Sequence, residues 1–461
     1  MASSTTPTYP RQAASLKGLE SEIFKLVFRS TTPEQWAEWL RTPLEHAAAE
    51  GNLDLVDKLI GAGATVIAGW KGCGGRTLLH AAVEGGNEGV VSSLLRAGAQ
   101  RDVNTLSSPP ASQSPLYLAA SSGHEPVARL LILAGADVNF NEPEFKSTVL
   151  DEAIRGGHER LAELLVISGA NVNARDYQNA TPLHLAAMKG SSGIVSALLL
   201  RGVDVDAVDS EGDSALMSVS RFVGGGLQLA VVETLLAAGA DSSMRGTGRL
   251  WSALDWAACR GQAAIIQALA RSGADVNSRD AVGCAALHTA AEADRAGSVD
   301  ALIEAGADIE LKCNLGRTPL ASCATNGKAN AMLALLQNGA IVTAQDDDAQ
   351  MPLHLACGYK PEGLEAVVDL LLRWDADETA LDKDAQTPAD LLNDDSDYRE
   401  CPQDEIERVR LLLARAPVDR VWRRRCWLVM LRCRASKARY ARHDGGSEGS
   451  EDSNASDEQS R

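Results

Sequence analysis

Apolar residues along this chain fall into short helical stripes separated by polar, glycine-bearing connections, and the same stripe returns at a regular interval. Around its clearest copy the order is Thr181-Pro182-Leu183-His184-Leu185-Ala186-Ala187. Thr181 is placed to cap a helix, since its hydroxyl can accept from an amide of the first turn, and Pro182 fits the first helical position, where a missing N–H costs nothing. Leu183, Ala186 and Ala187 then share one helical face. Gly190 falls where a left-handed residue would end that helix. A second apolar run, Ile194 to Leu200, closes at Gly202, and Asp209-Ser210-Glu211-Gly212-Asp213 reads as a tight turn. The pattern predicts two short antiparallel helices followed by a polar turn that leads into the next unit.

Degraded copies begin at Thr42, Thr77, Ser114, Thr148, Thr181, Ser214, Ser252, Ala285, Thr318, Met351 and Thr387, and from Ser252 to Met351 successive starts lie 33 residues apart. A period of this size marks a repeat array, in which each unit buries its apolar face against its neighbours. With the Thr-Pro-Leu-His-Leu-Ala-Ala segment, it resembles the ankyrin repeat. The resemblance implies an all-α repeat solenoid of eleven ankyrin repeats, helix-turn-helix plus hairpin loop, elongated, curved and closed by helical caps. It further implies a non-enzymatic scaffold or adaptor that binds partner proteins on the concave face made by hairpin tips and first helices. The organisation expected from this is a disordered stretch over 1–18, a helical cap over 19–41 and the array over 42–415. A basic, aromatic C-terminal helix over 416–443 and a disordered acidic tail over 444–461 complete it.

Composition narrows the picture. The chain has 461 residues, 45% hydrophobic but only 4% aromatic, so its core must be built from Leu and Ala, which suits close helix stacking. Nine cysteines, an odd number without a C-x-x-C pair, argue against a disulfide framework and against a zinc module, and are read as reduced thiols in the cytoplasm, with the nucleus left open. No apolar run approaches the roughly 20 residues that span a bilayer. The first 18 residues are rich in Ser and Thr and carry Arg11 and Lys17 without acids, so an organelle transit peptide stands as the alternative to a disordered tail.

His80, His184, His288 and His354 recur one per repeat and invite a metal or proton-transfer reading. Stacked helix pairs separate them by roughly 8–10 Å, too far to share an ion. In ankyrin repeats this histidine bonds near the Thr and ties adjacent repeats together, so where Glu45, Tyr117, Asp151, Met217, Asp255, Ala321 or Asp390 replaces it that bond must be altered or absent. No cofactor is expected. The segment Gly69-Trp70-Lys71-Gly72-Cys73-Gly74-Gly75-Arg76-Thr77 lacks the lysine of a phosphate loop, and no catalytic motif survives placement on the repeat.

The residues before each helix-ending glycine and at the hairpin tips give a basic middle: Arg155, Arg175, Tyr177, Lys189, Arg245, Arg249, Trp251, Arg260, Arg279, Lys312 and Arg317. Repeats ten and eleven instead present Asp346, Asp347, Asp348, Asp382 and Asp384. An acidic or phosphorylated segment of a partner protein, laid along repeats four to nine with Tyr177 and Trp251 as anchors, fits this distribution. Insertions at 104–113, 221–226 and 358–363 are expected on the surface. The monomer is expected to be acidic overall, with a net charge of -18, which disfavours nucleic acid. Against that trend the basic C-terminal segment, with Arg423, Arg424, Arg425, Trp427, Arg432 and Arg434, either closes the last repeat or makes a membrane-surface or calmodulin-regulated adaptor.

Overall fold

The computed structural model describes residues 41–62, 64, 66, 75–109, 112–222, 225–393 and 401–416. The expected N-terminal cap, apart from Arg41, most of the segment around Gly72, the basic segment with Arg423, Arg424, Arg425, Trp427, Arg432 and Arg434, and both tails lie outside the described residues. Among those described, the chain is helical throughout, with only isolated bridges at Asn141–Thr148 and Val208–Ser214. It divides into two compact units, Met1–Leu185 and Ala186–Arg461.

In the first unit the leading helices of successive repeats, Arg41–Ala49, Leu78–Glu84, Pro115–Ser122 and Val149–Arg155, pack side by side. Their partners Leu53–Gly61, Glu88–Arg96, Glu125–Leu133 and Glu159–Ile167 form a second layer. The larger unit repeats this arrangement with leading helices Ala215–Arg221, Ala253–Arg260, Ala286–Glu292, Pro319–Asn326, Pro352–Tyr359 and Pro388–Asn393. Its second layer runs through Ser192–Leu199, Gly225–Ala237, Ala263–Arg271, Ala296–Glu304, Ala329–Gln337 and Leu364–Arg373. Residues 403–416 form a further helix, whose Ile406, Val409 and Leu413 are buried.

The helices start where the sequence places their caps. Ser114, Thr148, Ser252 and Thr318 all accept from the amide three residues on. Inside, the core is Leu, Val and Ala: Leu79, Val90, Leu94, Leu116, Leu150 and Leu161 are each no more than 1% exposed in the first unit. Burying each such Leu is worth about 1.5–3 kcal/mol, yet no single helix pair can do so alone. Close stacking also fixes the helix ends. Gly123 has φ +73, and a Cβ there would meet the His158 ring at 2.4 Å; Gly327 has φ +68, and a Cβ there would meet the Glu362 carbonyl at 1.9 Å.

Two kinds of hydrogen bond register one repeat on the next. At the hairpin tips a backbone N–H donates to the tip of the preceding repeat: Ser108 to Gly75 and Tyr177 to Phe145 in the first unit, at 3.0 and 3.1 Å. Thr247 to Glu211, Ala281 to Arg249, Asn314 to Val282, Asp347 to Leu315 and Lys383 to Asp348 continue the pattern in the second, between 2.8 and 3.3 Å. The other bond is the histidine. Thr77 N–H donates to Nδ1 of His80 at 3.2 Å, which puts the ring proton on Nε2, and Nε2 meets the Gln113 carbonyl of the next repeat at 2.9 Å. His288 and His354 do the same toward Arg317 and Ala380, both at 3.0 Å. Burial lowers the His288 pKa, consistent with a ring that must stay neutral to accept from the backbone.

Departures from histidine follow two courses. Asp151 closes its own capping box, accepting from Thr148 N–H at 2.9 Å, but reaches no farther, and its Oδ1 is buried without a hydrogen-bond partner among the described residues. Burial pushes its carboxyl up to about 6. Tyr117 behaves differently: its ring meets Phe140 edge-on at 5.8 Å, so this joint, expected to lack its tie, has a contact of another kind. The insertions follow expectation only in part. Asn104 of the 104–113 finger is exposed and accepts from Asp137 N–H at 2.8 Å, whereas Lys360 and Pro361 of the 358–363 insertion are buried rather than displayed.

Replacing His80 with Ala leaves the Thr77 amide and Gln113 carbonyl unsatisfied inside a joint, and should cost about 2–4 kcal/mol in denaturant unfolding of the full chain. Asp151 stabilises the fold only while protonated, fully below the ordinary carboxylate range and progressively less as pH rises through about 6. Asp151→Asn should therefore flatten the fall in thermal midpoint between pH 5 and pH 7 relative to wild type.

Candidate partner-binding surface

Several of the hairpin turns are each organised by one carboxylate. Asp176 accepts from the amides of Gln178 and Ala180 at 2.9 and 3.0 Å. In the second unit Asp280 accepts from Val282 and Cys284, Asp346 from Asp348 and Gln350, and Asp382 from Asp384 and Gln386, all between 2.8 and 3.0 Å. These are side-chain caps that hold the turn shut. Asp346 and Asp382, expected to present charge at the tips, are therefore buried turn formers, whereas Asp347, Asp348 and Asp384 are exposed.

The free Oδ2 of the same carboxylates reaches back to the preceding repeat. Trp251 donates its indole N–H to Asp280 at 3.3 Å, Arg317 donates to Asp346 at 3.4 Å, and Gln350 to Asp382 at 3.2 Å. In the first unit Arg155 bridges Glu152 at 3.2 Å and Asp176 at 2.9 Å. Arg317 also donates to the Tyr359 hydroxyl at 2.9 Å and lies 5.1 Å from that ring's centre. Three of the residues singled out for partner contact, Arg155, Trp251 and Arg317, thus have structural work inside the array.

The others stand farther out. Arg175 donates to its own turn, at the Asn179 carbonyl, and beside it Tyr177, 57% exposed, meets Phe145 edge-on at 5.8 Å. In the second unit Lys189 and Arg260 are exposed at the ends of leading helices. Arg245 donates to Leu250, Arg279 to Lys312 and Lys312 to Gln345, each to a backbone carbonyl rather than to a carboxylate. Arg249 is exposed, with its guanidinium 5.1 Å from the centre of Trp251.

Trp251 and Arg249 belong to a cluster that sequence reasoning assembled only in part. Trp256 on the leading helix meets Trp251 edge-on at 4.6 Å, and the Arg221 guanidinium lies over the Trp256 ring, 4.9 Å from its centre. Arg221 is itself held by Glu211 and, at 3.4 Å, by Asp213. Burial raises the Asp213 carboxyl to about 6, with Asp209 adding to the effect. Nearby, burial raises the Glu292 carboxyl while Arg249 opposes the shift. The signal available in the sequence was Trp256 itself, a large aromatic at the place where other copies carry Leu185 or Thr289. Among the described residues no group of three or more His, Cys, Asp and Glu could hold a metal ion, and no helix is long and apolar enough to cross a membrane.

A model of ankyrin repeats in three copies matches residues 44–142, 102–176, 150–246, 183–280, 216–313 and 287–384. The chain belongs to the ankyrin repeat family. Among curated relatives it is 35% identical over 150 residues to "Glycerophosphocholine phosphodiesterase gde1" of Schizosaccharomyces pombe, covering 32% of this chain and 13% of that protein. It is 28% identical over 272 residues to "Ankyrin repeat and KH domain-containing protein mask-1" of Caenorhabditis elegans, covering 57% of this chain and 10% of that one. The chain thus spans only a small part of these relatives. The solved ankyrin repeat domain of Bcl-3 aligns at 27% identity and a TM-score of 0.42, over 49% of this chain and 98% of that domain.

In an ankyrin array built this way the turn carboxylates are structural and their exposed neighbours are not. Asp346→Ala removes two turn bonds and the Arg317 partner and should lower stability by about 3 kcal/mol. Asp347→Ala, one residue on, should stay within about 0.5 kcal/mol of wild type in the same denaturant titration.

Proposed function

We propose that the chain is a non-catalytic interaction module that binds an acidic or phosphorylated segment of a partner protein on the hairpin-and-leading-helix face of its second unit. Ankyrin repeats are protein–protein interaction modules, and the variable surface rather than the scaffold sets the partner. The observation that carries this reading is the contrast in how the basic residues are used. Arg317 is neutralised against a buried carboxylate, whereas Arg249, Arg260, Arg279 and Lys312 keep their charge at the surface.

The Arg249, Trp251, Trp256 and Arg221 cluster supplies the rest. A guanidinium held over an indole is ordered before a partner arrives, so less side-chain entropy is lost on binding. Arg and Trp are also the residue types that dominate binding energy at interfaces. A carboxylate or phosphate fits this patch through charge-assisted bonds to Arg249 and Arg279. The reading assigns no cofactor to the chain and places it in the cytoplasm, with the nucleus as the alternative.

Reversing Arg317 would confound a test, because a new carboxylate would face Asp346 and open the joint. Arg249→Glu, Arg260→Glu and Arg279→Glu combined change charge without touching a turn carboxylate. Proximity labelling in the native cell should lose most of its enriched partners with this triple variant while its thermal midpoint stays near that of wild type. Unchanged enrichment would overturn the proposal.

A further inference from the structure

The joint between the eighth and ninth repeats departs from its neighbours in one respect. At the joint before it and the two after it, the residue before a helix cap meets the carboxylate that opens the next hairpin turn, as in Trp251 with Asp280, Arg317 with Asp346 and Gln350 with Asp382. Here the backbone is the same: Asp280 N–H donates to the Cys284 carbonyl at 2.8 Å, Cys313 N–H to that of Arg317 at 2.9 Å, and Asn314 N–H to that of Val282 at 3.1 Å. The two facing positions, however, hold Cys284 and Cys313. Side chains at these two positions touch across each of the three other joints, and here both residues are partly exposed and free. By contrast Cys323 and Cys357 are buried.

Fold stability gives no reason for a thiol at position 313. A carboxylate there would accept two turn amides, as Asp280 and Asp346 do, and a cysteine forgoes both bonds. We propose that Cys284 and Cys313 are a reversible dithiol–disulfide pair, oxidised by a hydroperoxide, which staples the hairpins of successive repeats. The Cys313 thiolate attacks one peroxide oxygen, the O–O bond breaks, and Cys313 becomes a sulfenic acid as the other oxygen leaves as water. The Cys284 sulfur then attacks the sulfenic sulfur, the S–S bond forms, and the S–O bond breaks as a second water takes up the Cys284 proton. Two thiols and one hydrogen peroxide give one disulfide and two waters, the two electrons passing from sulfur to peroxide. Burial first, and the neighbouring Cys313 next, push the Cys284 thiol above its ordinary range, and the stoichiometry is the same whichever sulfur attacks first.

A disulfide here closes the loop that holds the helices Ala286–Glu292 and Ala296–Glu304, and in a solenoid its effect stays local to that joint. Arg279 and Lys312 flank it, so the staple would fix the spacing of two charges in the proposed binding face. The pairing itself rests on the geometry of the joint and holds whether or not that face binds a partner.

Trypsin supplies a direct readout, since cleavage after Arg279, Arg295, Lys312 and Arg317 puts the two cysteines on separate peptides, Asp280–Arg295 and Cys313–Arg317. The full chain, reduced and desalted, is treated with hydrogen peroxide, blocked with iodoacetamide and digested without reductant. The expected product is the two peptides joined, lighter by two hydrogens than their sum and separated by dithiothreitol, together with a higher thermal midpoint for the oxidised chain. Cys313→Asp, which restores the turn acceptor found at Asp280 and Asp346, should fold at least as stably, give alkylated Cys284 and show no oxidant-dependent rise in midpoint. Recovery of both wild-type peptides in alkylated or sulfinic form, or of Cys284 joined mainly to another cysteine, would overturn the proposal.

Discussion

Every feature of this chain depends on the fact that a pair of helices of this length cannot bury its own apolar face. Leu79, Leu94, Leu116 and Leu150 leave water only because the next repeat covers them, so the fold exists as a sequence of joints rather than as a set of domains. A joint must also exclude slippage, since apolar contact alone has no direction. That requirement explains the polar part of the repeat. The histidine on the leading helix and the amide at the hairpin tip each make a single bond across the joint, and together they fix how far one repeat can slide on the next.

The two bonds differ in what they ask of the sequence. The histidine bond needs one side chain in one neutral tautomer, and Asp151 shows the cost of losing it: a carboxylate oxygen buried with nothing to accept from. Tyr117 shows that a different side chain can make contact there, its ring packing edge-on against Phe140. The tip bond needs only backbone atoms. It therefore leaves the tip side chains free, and this is where Arg249, Arg279 and Lys312 are found. Freedom to vary at the tips and fixity at the joints are two sides of the same arrangement.

Much of the fold was legible because it rests on local chemistry that recurs. Thr181 with Pro182 marks a helix start, Gly190 and Gly123 mark helix ends, and the interval between copies announces the stacking. Contacts across joints were less legible. Arg155 and Arg317 read as free surface charge because their partners Asp176 and Asp346 lie one repeat ahead, and Asp346 and Asp382 read as exposed because nothing local shows that they cap their own turns. Cys284 and Cys313 looked like two of nine scattered thiols until the hairpins were brought into register by main-chain bonds. Finding such pairs in a sequence requires aligning the copies and reading down the columns two at a time.

A joint closed by main-chain atoms has a consequence for how such a molecule changes over generations. The bonds from Thr247 to Glu211, Ala281 to Arg249 and Lys383 to Asp348 form whatever side chains the tips carry. Replacement at a tip can alter what the surface recognises while leaving intact the contact that holds it. Duplication of a whole repeat likewise brings a donor and an acceptor with it, so a new copy is born already able to dock. Recognition in this chain is therefore free to drift along a scaffold that does not record the drift.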